Sequence, residues 1–103
     1  MKKVVGGKIY DTKTARKIDS TDRGSKEGLN SLKESLYITK KGAYFLSGEG
    51  GPFSRYAVLA GNGDFIGGSG IVPMTIRGAL RWCEQYSDFT TIEIEFGSMI
   101  EEA

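Results

Sequence analysis

Apolar and aromatic residues in this chain fall in short runs, and the densest run lies between Leu36 and Tyr56. Leu36-Tyr37-Ile38 leads into Thr39-Lys40-Lys41-Gly42, and Tyr44-Phe45-Leu46 leads out. Aromatic and β-branched side chains suit a pleated, half-buried surface. Gly42 adopts a positive φ at little cost, which suits a turn closed by a left-handed glycine and a bulge. The pattern therefore predicts a β-hairpin with Lys40 and Lys41 at its tip. Gly48-Glu49-Gly50-Gly51-Pro52 predicts a corner, and Phe53 to Ala60 a third strand.

Upstream, Val4-Val5, Gly6-Gly7 and Lys8-Ile9-Tyr10 read as a short strand broken by a glycine kink or a tight turn. Asp11-Thr12 is a turn signal, because an Asp side chain can bond its own backbone two residues on. Thr14 to Ile18 suits a strand better than a helical turn. Asp19 to Gly28 is polar and predicts a surface loop. Leu29, Leu32 and Leu36 have helix-like spacing but run straight into the hairpin, so extended structure is expected only from Ser35. Gly61-Asn62-Gly63-Asp64 predicts a turn, Gly67-Gly68-Ser69-Gly70 a flexible loop, and Ile71-Val72 a short extended piece.

One helix is clear. Thr75 is a suitable N-cap. Ile76, Ala79, Leu80 and Cys83 recur at i, i+3, i+4 and i+7, an amphipathic stripe over Thr75–Tyr86. Ile76, Leu80 and Cys83 are expected to face the sheet, with Trp82 and Tyr86 on a flank. In the tail, Ile92, Ile94 and Phe96 alternate with Glu93 and Glu95, which favours a strand over 91–96. The competing helical reading places Phe89, Ile92, Phe96 and Ile100 on one face. Together these elements predict an α+β single domain over residues 1–103. It is a small antiparallel sheet of about four strands with one C-terminal helix packed on one face and the other face open.

Composition adds to this picture. Fifteen glycines in 103 residues, nine of them between Gly42 and Gly70, favour a β-rich domain with many turns. Net charge is +1, yet residues 1–41 hold eleven Lys and Arg against five acids, and residues 42–103 hold three against eight. That asymmetry points either to internal pairing or to a charged partner. The single cysteine forbids an internal disulfide and suits a reducing, cytoplasmic setting. No apolar run has the length of a membrane span, and the basic N-terminus lacks the apolar core of a signal peptide.

The residue types also limit the chemistry. With no histidine, Ser-His and Cys-His nucleophiles and most zinc sites are excluded. Cys83 lies on the apolar stripe and reads as a small core residue. Gly48-x-Gly50-Gly51 lacks the Gly-Lys-Ser/Thr of a phosphate loop and reads as a sharp corner. No cofactor, metal or catalytic group is expected. What remains is an aromatic and basic set about one hairpin: Tyr37, Lys40, Lys41, Tyr44 and Arg55, with Glu49 at the corner. Such residues make protein hot spots or stack bases. The plainer alternative is a solvated turn tip, tyrosines straddling core and surface, and a corner carboxylate in water. The set is the candidate binding surface, with a protein partner first and nucleic acid second.

The segments Lys8-Ile9-Tyr10-Asp11-Thr12-Lys13-Thr14-Ala15 and Leu36 to Gly51 resemble a family of small bacterial proteins often found with phage and other mobile elements. In that family a K-x-Y-D-T-x-T-A opening precedes L-Y-x-T-K-K-G-x-Y-F-L-x-G-E-G-G. Pro73 to Trp82 is similar to its proline followed by a tryptophan-bearing helix. The resemblance brings no settled activity. It implies a counter-defence role, such as a small inhibitor of a bacterial immune complex.

Overall fold

The computed structural model describes residues 1–24 and 29–103. Its centre is a four-stranded antiparallel sheet in the order β3-β4-β5-β8, formed by β3 (Arg16–Arg23), β4 (Leu32–Ile38), β5 (Tyr44–Gly50) and β8 (Gly68–Met74). A separate hairpin, β1 (Lys2–Val5) with β2 (Lys8–Asp11), precedes it. A two-stranded ribbon, β6 (Val58–Leu59) with β7 (Phe65–Ile66), is inserted before β8. Two helices close the chain, α1 (Ile76–Tyr86) and α2 (Phe89–Phe96), followed by a single 3-10 turn. Among the described residues no helix is long and apolar enough to cross a membrane.

The central hairpin forms as its residues predict. Gly42 has φ +88°, its N–H donates to the Thr39 carbonyl at 2.9 Å, and Thr39 N–H donates to the Ala43 carbonyl at 2.8 Å. Alternation then sorts the side chains. Glu34, Leu36 and Ile38 share the first face with Tyr44, Leu46 and Gly48, and Tyr37 shares the second with Phe45 and Ser47.

Both helices pack on the first face. Leu36, Tyr44, Leu46, Ala79, Trp82, Cys83 and Phe96 form the buried core. Thr75 caps α1, its hydroxyl accepting from Gly78 N–H at 3.0 Å. The face that α1 buries is rotated from the expected one. Ala79, Trp82 and Cys83 are buried and Leu80 is partly buried, whereas Ile76 is 47% exposed. Trp82 turns inward because its indole N–H reaches a buried carboxylate on the sheet.

The tail is helical, not extended. Asp88 caps α2 by accepting from Thr91 N–H at 2.9 Å, an interaction that also holds its carboxyl below the usual range. Phe96 stacks on Tyr44 with centroids 5.6 Å apart, and Arg16 grips Glu95 through both terminal guanidinium nitrogens. The alternation of Ile92, Ile94 and Phe96 therefore does not mark a sheet face, and Ile94 is exposed. The domain carries two C-terminal helices where one was expected.

Four further expectations change, the first being that the chain is extended from Leu32 and not only from Ser35. The predicted loop from Asp19 is strand up to Arg23, bent by a bulge between Lys17 and Asp19, and its Ser25–Gly28 part lies outside the described residues. Gly67 to Gly70 is not a flexible loop, because β8 begins at Gly68 and pairs with β5 throughout. The strand predicted from Phe53 to Ala60 shrinks to Val58–Leu59. Ahead of it Ser54 closes a turn, its hydroxyl donating to the Gly51 carbonyl at 2.8 Å and accepting from Tyr56 N–H at 3.2 Å.

The second sheet face is only partly open. The β1–β2 hairpin turns through Gly6 (φ +59°) and Gly7 (φ +77°), the pair of positive φ values that a two-residue type I′ turn requires. It lays Tyr10 edge-on against Phe45, which in turn stacks on Tyr37. Phe45 is thereby fully buried from the side opposite the helices.

Candidate functional site

The strongest polar constellation centres on Glu34, a residue absent from the predicted set. Its side chain is only 1% exposed. Tyr56 Oη donates to Oε2 at 2.7 Å, Arg55 Nη1 lies 3.3 Å from the same oxygen, and Oε1 accepts from Arg23 Nη2 at 2.7 Å and Trp82 Nε1 at 3.2 Å. Arg23 also lies over the Tyr86 ring at 3.9 Å. Its Nη1 is buried without a hydrogen-bond partner among the described residues. Glu34 thus ties together β3, β4, the turn before β6, and α1.

Burial alone would push the Glu34 carboxyl up. The donors Tyr56, Trp82 and Arg23, with the Arg23 charge, outweigh it and hold the carboxyl below the usual range. Burial and the facing carboxylate push the Tyr56 phenol well up. The carboxylate is ionised and fully donated to, which suits neither a general acid nor a base. Its chemistry is structural.

A pH dependence follows. The unfolded chain takes up a proton at this glutamate near pH 4.5, before the folded chain does. Its contribution to stability is therefore complete above that pH and is lost as pH falls from there through the lowered folded value. At the alkaline end, the Tyr56 phenol ionises first in the unfolded chain, near pH 10, so stability falls as pH rises beyond it. Urea midpoints across the pH range should show both limbs, and Glu34→Gln should flatten the acid one. Identical acid limbs in the two proteins would remove Glu34 as the source.

The structure divides the six predicted site residues. Tyr44 is in the core beneath α2. Tyr37 is half-buried on the opposite face, and Lys17 Nζ lies 5.9 Å from its ring centre. Lys40 and Lys41 are exposed at the hairpin tip. Glu49 is exposed near the far end of β5 on the second face, about 17 Å of strand from Tyr44. Arg55 is half-exposed and bound to Glu34. No one surface holds all six. The open part of the second face instead carries the row Asp22, Lys33, Glu49 and Ser69, one residue from each strand.

A ribbon of exposed apolar residues lies elsewhere. Val58 pairs with Ile66 and Leu59 with Phe65, and all four are 49 to 62% exposed. Phe53, in the preceding turn, is 73% exposed. The ribbon is positioned by Tyr56, whose buried ring lies against Gly48 and Gly70, neighbours on β5 and β8.

Sequence reasoning missed Glu34 although it left a signal. Glu34, Leu36 and Ile38 have strand spacing, so Glu34 is a charge on an otherwise apolar face. No protein-family model, no curated protein and no solved structure matches this chain.

Proposed function

We propose that this is a non-enzymatic binding protein that engages a protein partner through the β6–β7 ribbon and Phe53. The observation that carries this reading is the exposure of Leu59 and Phe65, paired on one face of the ribbon, with Val58 and Ile66 exposed on the other face and Phe53 in the preceding turn. A two-stranded ribbon cannot bury its own side chains and is marginal in water alone, so such a patch favours a partner. The anchoring of its base by Tyr56 presents the patch in one orientation, which lowers the ordering cost of binding. The resemblance to mobile-element proteins fits a counter-defence role in which that partner is a protein complex. The Lys40–Lys41 tip is a second contact in this proposal. A sheet-based reading of DNA has less support: Tyr44 is in the core, and the open face bears Asp22 and Glu49 beside Lys33.

Affinity capture from bacterial lysate, in nuclease-treated and untreated halves, tests the proposal. Leu59→Ser with Phe65→Ser should abolish nuclease-resistant capture with little change in melting temperature, because both side chains are in solvent. Lys40→Glu with Lys41→Glu should weaken it. Capture at wild-type strength by the ribbon variant would sink the reading. Capture lost only on nuclease treatment would favour nucleic acid.

A further inference from the structure

The two edges of the central sheet differ in a way that bears on assembly. An unpaired edge is a template for another strand unless charge, proline or a bulge blocks it. The β3 edge has these defences: Arg16, Lys17, Asp19, Asp22 and Arg23, and a bulge. The β8 edge, Gly68-Ser69-Gly70-Ile71-Val72-Pro73-Met74, carries no charge.

The outward-facing groups of β8 can be identified. Thr39 N–H donates to the Ala43 carbonyl, and Gly51 N–H donates to the Ser31 carbonyl at 2.9 Å. The odd-numbered residues of β5 therefore bond to β4, because hydrogen-bonded and non-bonded pairs alternate along an antiparallel ladder. The even-numbered residues of β5 bond to β8, through Gly68, Gly70, Val72 and Met74. Ser69, Ile71 and Pro73 then turn their backbone groups outward. Pro73, opposite Phe45, sits where its missing N–H costs the ladder nothing. Among the described residues, β5 is the one strand hydrogen-bonded to β8, and β1 passes close to β8 without pairing with it.

We infer that β8 pairs with β8 of a second copy of this chain across a two-fold axis at Gly70, making a continuous eight-stranded sheet. In this register Ser69 faces Ile71 of the second copy, and both exchange N–H and C=O bonds, twice by symmetry. Gly70 faces its own copy in the closely spaced, non-bonded pair, where the absence of a side chain leaves room. Pro73 lies beyond the bonded pairs and terminates them. The alternative axis, at Ile71, would set Ser69 opposite Pro73 and forfeit bonds. A second copy is favoured over another strand by the lack of charge. Two-fold pairing sets a strand against itself, and like charges facing across strands repel. The uncharged β8 edge escapes that cost in any register.

This inference does not use the β6–β7 ribbon, and the experiment separates the two. Light scattering on the eluting full chain over a concentration series should give twice the 11.2 kDa protomer mass. Ser69→Lys with Ile71→Lys should return the monomer mass, as should Ser69→Glu with Ile71→Glu, with folding checked by circular dichroism. Mixing the two variants should restore a dimer, because lysine then faces glutamate in each pair. Gly70→Cys, where a Cβ meets Tyr56 at an ordinary 3.6 Å, should cross-link under mild oxidation. The Leu59→Ser, Phe65→Ser variant should keep the dimer mass. A monomer up to millimolar concentration would overturn the inference, as it would if the edge served a different protein's strand. So would a dimer that survives the lysine pair, or one lost only in the ribbon variant.

Discussion

Glu34→Ala should destabilise the protein by about 3–5 kcal/mol, the cost of removing one partner of a buried, hydrogen-bonded charge set. The loss has identifiable parts. Tyr56 Oη and Trp82 Nε1 would be left as donors in buried surroundings, and each unsatisfied group costs about 1–3 kcal/mol. Arg23, whose side chain is 26% exposed, would lose its counter-charge with one nitrogen already unpartnered among the described residues. Arg55 adds little, because half of its side chain is in solvent and its pairing is screened. Glu34→Gln preserves the volume and some acceptors, so it should cost less than the alanine. A urea titration decides the matter. A loss below about 1 kcal/mol for the alanine would mean that water or rearranged arginines replace the carboxylate.

How far the sequence disclosed this depends on the range of the signal. The hairpin around Gly42 and the Thr75 cap are local, and both appear where the residues place them. Alternation in the tail gave the wrong element because Ile92, Ile94 and Phe96 satisfy two periods. Asp88 at the N-cap and the stack of Phe96 on Tyr44 tip the balance to helix. The glycines from Gly48 to Gly70 read as loop because glycine usually punctuates. Here several are small because another residue lies on top of them, a long-range fact with no local signature. Glu34 was legible in principle as a charge at an apolar strand position. Its partners stand 11, 21, 22 and 48 residues away, so no spacing rule would have gathered them. The six residues chosen for type and proximity were close in sequence, and strand alternation then separated them.

Gly48→Ala is the sharpest test of that close packing, and it should cost about 3 kcal/mol or more, as overpacking combined with a lost hydrogen bond to a charged acceptor. A Cβ at Gly48 would meet Cζ, Oη and Cε2 of Tyr56 at under 3.0 Å. A free ring end could swing away. This one is buried, and its hydroxyl is fixed to Glu34 at 2.7 Å, so retreat breaks the bond that holds the carboxylate. Gly70→Ala is the matched control. Its Cβ would stand 3.6 Å from the other side of the same ring, an ordinary contact, and should be close to neutral. The two substitutions add the same methyl to paired positions on β5 and β8, so strand propensity cannot separate them. A double-mutant cycle completes the test. In a Tyr56→Ala background the cost of Gly48→Ala should fall below about 1 kcal/mol, because nothing remains for the methyl to strike. An unchanged cost in that background would show that Gly48 is needed for its own backbone and not for Tyr56. The β6–β7 ribbon would then need another anchor than the one assigned to it.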